Sequence, residues 1–262
     1  MDNLSDKNRQ RAGAVTAFFG LSVLMLSGIM FLVLVVVSLT TWVALGIALL
    51  MALSLLWASK TSERRILEKL PGTQLGEGEQ PRLINLVEGL CLSTGISPPR
   101  IHILPTEGRN IAALGRSVDH STLIVTSGLL GAATRIELEA VLANRISQIA
   151  SYRTALATTA ITTFGLSIEL LSFRIRPFSF LTGSAKRKIG LQVDASHDFA
   201  GDVAGTGITR YPPGMVEAIE MMENRTSVPE VSSTLDSLWL FPSTSNTNRP
   251  TVEARATALR EM

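Results

Sequence analysis

From residue 15 to residue 58 the chain carries no charged side chain, in two apolar stretches, residues 15–37 and 42–58, broken only by Ser38-Leu-Thr-Thr41. Each stretch approaches the roughly 20 residues a helix needs to cross a hydrocarbon core. The polar break is too short for anything but a tight turn, so an antiparallel transmembrane hairpin is expected. The apolar region is too long for a cleaved signal peptide, and a second span follows at once. Lys7, Arg9 and Arg11 precede the first span, and Lys60, Arg64, Arg65 and Lys69 follow the second. That distribution predicts both ends on the cytoplasmic side. Trp42 and Trp57 stand near the two ends of the second span, where interfacial indoles are common.

Composition agrees with a membrane protein. Hydrophobic residues make up 46% and charged residues 18%, with a mean hydropathy of +0.29, whereas soluble domains carry about a quarter charged residues. The formal net charge of +2 is too small to argue for nucleic acid. The lone cysteine, Cys91, excludes an internal disulfide, and it reads as a small buried hydrophobe on a helix.

A third apolar stretch, residues 155–173, carries Glu169, which is costly in lipid without a partner. Arg153 precedes it, and Arg174, Arg176, Lys186, Arg187 and Lys188 follow it. A single crossing would put one basic flank outside, so a buried core helix, or one resting on the bilayer, is favoured. Residues 173–181 mix aromatic and basic side chains. They read either as a segment on the anionic leaflet or as an ordinary basic loop.

The remainder reads as a small α+β domain with its helices on one face of a short sheet. A Gly-rich linker is expected at residues 71–78, and Pro81 opens a helix burying Leu83, Leu86, Val87 and Leu90. Gly95 and Pro98-Pro99 stop it. Strands are predicted at residues 100–104 and 122–126, and a long helix from about Arg135. Further helices are predicted at residues 195–208, 213–223 and 252–260. The expected division is a cytoplasmic tail at 1–12, the hairpin at 13–59, a juxtamembrane segment and linker at 60–80, and the domain at 81–262.

Six segments of that domain, in order, carry a resemblance. They are Thr94-Gly-Ile-Ser-Pro-Pro-Arg-Ile101, Asn110-Ile-Ala-Ala-Leu-Gly115, Val125-Thr-Ser-Gly-Leu-Leu130, the run Glu137-Leu-Glu-Ala-Val-Leu-Ala143 with the residues after it, Asp198-Phe-Ala-Gly-Asp202, and Arg249-Pro250 with Arg255 and Leu259. Together they resemble the HtpX-type membrane zinc metallopeptidases. The resemblance implies a zincin-type domain, mostly helical with a short sheet, on the cytoplasmic face of a bacterial-type plasma (inner) membrane, multi-pass, with a role in protein quality control.

In that family a His-Glu-x-x-His helix supplies two zinc ligands one turn apart and a general base, and a later Glu supplies the third ligand. Here Asn144, Arg145 and Gln148 stand at the His, Glu and His positions, and Asp198 stands where the family has the later Glu. Neutral amides are poor zinc ligands, and an arginine cannot accept a proton at working pH. The degenerate positions Asn144, Arg145, Gln148, Asp198 and Asp202 therefore predict no zinc, no hydrolysis and a pseudopeptidase. Such a chain would act as a binding, regulatory or accessory subunit on membrane proteins or in a membrane complex. The alternative is an active zinc endopeptidase with unorthodox ligands. His102 and His120 fall near strands; His197 with Asp198 and Asp202 has some metal-like character but reads mainly as a helix surface. Arg145, or the amides of Asn144 and Gln148, are expected to reach Asp198 or Asp202 in place of the metal; otherwise Arg145 points to solvent. The segment Asn110, Ile111, Ala112, Ala113 is the candidate peptide groove, binding an extended segment by strand addition.

Overall fold

The computed structural model describes residues 2–37, 40–70, 72–76, 78–162, 196–228, 233–242 and 249–262. Helix α1 (Asp2–Val36) and helix α2 (Thr41–Lys60) pack along each other. Their apolar side chains face outward, Leu24 and Trp42 being 67% and 80% exposed. α1 is long and apolar enough to cross a membrane, while the apolar part of α2 is shorter, Thr41–Ser54. Residues 2–12, in the expected N-terminal tail, form the first turns of α1. Those polar turns dock on the domain: Asn8 Nδ2 donates to the Ser151 carbonyl at 2.9 Å, and Arg9 lies over the Tyr152 ring.

Helix α3 (Ser62–Lys69) and the residue after it bury Ile66 and Leu70. The segment read as a linker supplies strand β1 (Thr73–Gln74), antiparallel to β2 (Arg100–Leu104). Gly72 is needed for that approach, since a Cβ there would come within 2.9 Å of the Ile103 carbonyl oxygen. Residues of the expected linker thus pair with the sheet. Helix α4 (Pro81–Thr94) has Pro81 in its first turn, where the missing N–H costs nothing, and ends at Gly95 in the left-handed conformation. Cys91 is buried on it, and burial, helped by the charge of Glu88, pushes its thiol up to about 11.

The sheet has the order β1-β2-β4-β3, with β3 at Ile111–Gly115 and β4 at Ser121–Thr126. β4 runs parallel to β2 and antiparallel to β3, with Ala112 opposite Ile124. β3 escapes sequence patterning because Ile-Ala-Ala-Leu-Gly shows no polar alternation. The reason is burial on both sides. Ile111, Ala113, Leu123 and Val125 face one core, formed with α4, while Ala112, Leu114 and Ile124 face a second. The helices accordingly cover both faces, not one.

Thr126 caps helix α5 (Ser127–Ala132), and Thr134 with Glu137 forms a reciprocal capping box at the start of helix α6 (Arg135–Ala150). Tyr152, at φ 59°, turns the chain into helix α7 (Arg153–Ala160), which is buried and adds Ala157 and Ile161 to the second core. The start of the third apolar stretch is therefore a core helix. Residues 163–195, which hold Glu169, Arg174, Arg176 and the 173–181 segment, lie outside the described residues. Helix α8 (Ser196–Thr209), helix α9 (Pro212–Met222), a 3-10 turn (Ser233–Leu238) and helix α10 (Val252–Arg260) complete the described chain. α9 and α10 pack on each other, and α8 lies across α6.

Candidate functional site

The crossing of α6 and α8 is set by two glycines one turn apart. A Cβ on Gly205 would fall 2.7 Å from the Asn144 backbone nitrogen and 2.8 Å from its Cα; one on Gly201 would meet the Gln148 side-chain amide. The helices touch backbone to backbone at Gly205, and this contact places Asn144 beside Asp202. Asn144 Nδ2 donates to Asp202 Oδ1 at 2.7 Å, and both residues are buried. On the other side of the amide, Asn144 Oδ1 accepts from Arg145 Nη2 at 2.7 Å, Arg145 Nε at 3.0 Å and Gln148 Nε2 at 3.3 Å. Asn144 and Gln148 keep the one-turn spacing, and Asn144 is the hub.

Both aspartates are gripped from the C-terminal segment. Arg255, on α10, donates Nε to Asp202 Oδ2 at 2.8 Å and Nη2 to Asp202 Oδ1 at 2.7 Å, and each side chain is 1% exposed. Its guanidinium also lies 4.8 Å from the centre of the Phe241 ring, within cation–π range. Arg249 makes the same two-pronged contact with Asp198, Nε to Oδ2 at 2.8 Å and Nη2 to Oδ1 at 2.5 Å. Burial alone would raise the Asp198 pKa, but the Arg249 hydrogen bonds and the charges of Arg249, Arg255 and Arg145 hold it below the ordinary carboxylate value. Asp202 and, more weakly, Asp198 likewise hold Arg255 above its ordinary value despite burial. Arg145 differs: burial drives its pKa down, and Asp198 offsets this only in part because Arg249 and Arg255 oppose it.

Of the contacts expected between the two helices, one is present: Asn144 reaches Asp202, whereas Gln148 stops at Asn144. Arg145 bonds Asn144 and, at 3.4 Å, the Leu238 carbonyl, with no direct hydrogen bond to either aspartate. Nor does it face solvent, being 2% exposed. Sequence reasoning named Arg249 and Arg255 as part of a C-terminal signature but not as the partners of the aspartates. The available signal was two aspartates one turn apart on a helix and, later, two arginines six residues apart.

This donor set does not fit zinc. The described residues contain no group of three or more His, Cys, Asp or Glu able to hold a metal ion. Each carboxylate near the crossing is already bidentate to a guanidinium, and Arg145 adds a third positive group. His102 sits in β2 opposite Ile124, with its pKa lowered by burial and then by Arg100; the His120 ring contacts Ser117 Oγ at 3.3 Å. The side chain of His197 lies outside the described residues.

The candidate groove is occupied by the chain itself. Asn110, Ile111, Ala112 and Ala113 are 0–2% exposed. Asn110 Nδ2 donates to the Thr226 and Phe241 carbonyls, its Oδ1 accepts from the Ile111 and Phe241 amides, and its own N–H donates to Thr126 Oγ1. Along the outer edge of β3, Ala112 bridges Trp239, and the Leu240 N–H donates to the Ile111 carbonyl at 2.8 Å.

One helix thus carries Asn144, Arg145 and Gln148, and a second helix bearing Asp198 and Asp202 crosses it, in a mostly helical fold with a small mixed sheet. Curated relatives are similar in sequence. The chain is 31% identical over 163 residues to a protease HtpX homolog of Dictyoglomus turgidum, covering 54% of each chain. It is 28% identical to one of Tropheryma whipplei, covering 72% of this chain and 75% of the relative, and 31% identical to one of Pyrococcus furiosus, covering 57% and 58%. No protein-family model matches the chain. These similarities support the HtpX-type peptidase family. The chain spans 54% and 61% of the lengths of the two Dictyoglomus relatives. These relatives are named as proteases, which overturns the expectation that the chain is not an enzyme: the family points to a peptidase, and altered letters do not by themselves remove it from that class.

Proposed function

We propose that the chain is a membrane-anchored member of the HtpX-type family that binds extended segments of membrane proteins, or of its partners in a membrane complex, as a binding or accessory subunit. In this reading α1 and α2 form a two-span anchor in a bacterial-type inner membrane. The peptidase-type, zincin-like domain stands on the cytoplasmic side, and ion pairs hold its helix crossing where relatives would use zinc. The observation that carries the metal-free part is Asp202, bound at once by Arg255 and by Asn144, the residue at the first-histidine position. A cation there would have to break a buried ion pair and sit beside Arg145. Docking of Asn8 on Ser151 supports an N-terminus on the same side as the domain. Peptide cleavage, to which the relatives' names point, is measured separately.

The test is metal analysis of the full chain purified in mild detergent. Zinc far below one ion per chain is expected, unchanged by chelator. One zinc per chain, removed by chelator together with cleavage of casein, overturns the ion-pair reading and leaves a zinc endopeptidase.

A further inference from the structure

Residues 238–241 run along the outer edge of β3, the edge where an incoming strand would add. They imitate such a strand only in part. Trp239 bridges Ala112, Leu240 N–H donates to Ile111 O, and Phe241 pairs with the side chain of Asn110, not with a backbone. At the far end of β3 the Gly115 N–H is taken by Thr158 Oγ1 of α7.

The carbonyls of this segment point into the crossing and are met there by arginines. Arg145 Nη1 reaches Leu238 O at 3.4 Å. Arg249 Nη1 and Nη2 reach Trp239 O at 3.3 and 3.4 Å, and Nη2 reaches Leu240 O at 3.5 Å. All are long for N–H···O bonds, in contrast to the 2.7–2.8 Å bonds of the Arg255–Asp202 pair. The arginine contacts to the strap are weak, their stronger bonds lying elsewhere, while Leu240 N–H to Ile111 O and Asn110 Nδ2 to Phe241 O, both at 2.8 Å, hold it to β3. Its apolar anchors, Leu238 and Trp239, pack in the second core with Ile66 and Leu70 around α3.

We infer that residues 238–241 are an internal strap on the edge of β3, fastened by Arg145 and Arg249, and that an extended polypeptide segment binds by displacing it and pairing with residues 111–113. This rests on the polypeptide-binding reading above and adds its gate. The arginines that stand at the general-base position and ahead of Pro250 thus act as positioning residues, tying the strap to the helix crossing. The ligand recognised is an unfolded stretch with unpaired backbone groups and an apolar side chain to replace Trp239.

Trp239 is a built-in reporter, because the chain has three tryptophans and the other two, Trp42 and Trp57, are exposed on α2. In full-length Trp42→Phe/Trp57→Phe protein, its emission is followed while reduced, carboxymethylated ribonuclease A, an unfolded chain without tryptophan, is added. A red shift that saturates with binding is expected. Arg249→Gln is expected to bind about tenfold more tightly, because one fastening is gone. Binding without any shift of Trp239, or with equal affinity in Arg249→Gln, overturns the strap and leaves polypeptide binding standing. No binding to Arg249→Gln, although its Trp239 emission is already red-shifted, sinks the polypeptide-binding reading itself. Should that variant not fold, the titration of the parent protein decides alone: binding with the shift supports the gate, binding without it or no binding overturns it.

Discussion

Three guanidiniums and two carboxylates meet at the helix crossing, and their contributions to stability have opposite signs. Arg255 and Asp202 are a fully buried, doubly bonded pair. Arg255→Met leaves Asp202 in the core with only the Asn144 amide, and breaking a buried pair in this way costs about 3–5 kcal/mol. Arg145 has no carboxylate of its own, and burial holds its pKa well below the ordinary value, so its charge is a burden on the folded state. Arg145→Met, of similar volume, is expected to keep or raise the midpoint of urea denaturation, while Arg255→Met lowers it clearly. Equal losses in the two variants would mean that Arg145 is an attractive partner of the aspartates and not their surplus charge.

At the scale of elements, the crossing of α6 and α8 depends on how closely their backbones approach, and Gly205 and Gly201 separate that factor from helix propensity. Ala at either position gains the same helical preference. At Gly205 the new Cβ meets backbone atoms of Asn144, which cannot move aside, whereas at Gly201 it meets the end of the Gln148 side chain, which can. Gly205→Ala is expected to lose about 1–3 kcal/mol through overpacking, and Gly201→Ala less than half of that, by thermal or urea melts in the same detergent. Matching losses would show that the helices do not meet at Gly205. The same elements show what patterning reveals. The helices were legible because each carries its own period and stop signals, such as Pro81 and Gly95 around α4 or Thr134 ahead of α6. β1 and β3 were not: one has two residues in a Gly-rich stretch, and the other is buried on both faces with no alternation. At the site, the family resemblance implied that Asn144 lies near Asp198 or Asp202. It did not disclose that Arg249 and Arg255 complete the aspartates, nor that residues 239–241 cover the edge of β3. Both depend on segments distant in sequence that only the folded chain brings together.

For the whole molecule, the question is how the folded domain stands against the bilayer that α1 and α2 imply. The first turns of α1 touch the α6–α7 junction through Asn8 and Arg9; the proposed two-span anchor accordingly puts the N-terminus and the domain on one side and the turn near Thr40 on the other. The chain supplies a quiet background for testing this. Its lone cysteine, Cys91, is buried with a thiol pKa near 11, and so carries little reactive thiolate at neutral pH. Asp6→Cys, Thr40→Cys and Glu261→Cys, made singly, can therefore be probed in intact cells and in inverted membrane vesicles with a membrane-impermeant maleimide. The proposed topology, with basic flanks that favour the cytoplasmic side, predicts that Asp6→Cys and Glu261→Cys label only in inverted vesicles and Thr40→Cys only in intact cells. Labelling of Thr40→Cys and Glu261→Cys from one side and of Asp6→Cys from the other would show that the second helix, whose apolar part is only Thr41–Ser54, does not cross. In that case α1 alone anchors the chain, and the docking of Asn8 on Ser151 has to be broken as α1 inserts.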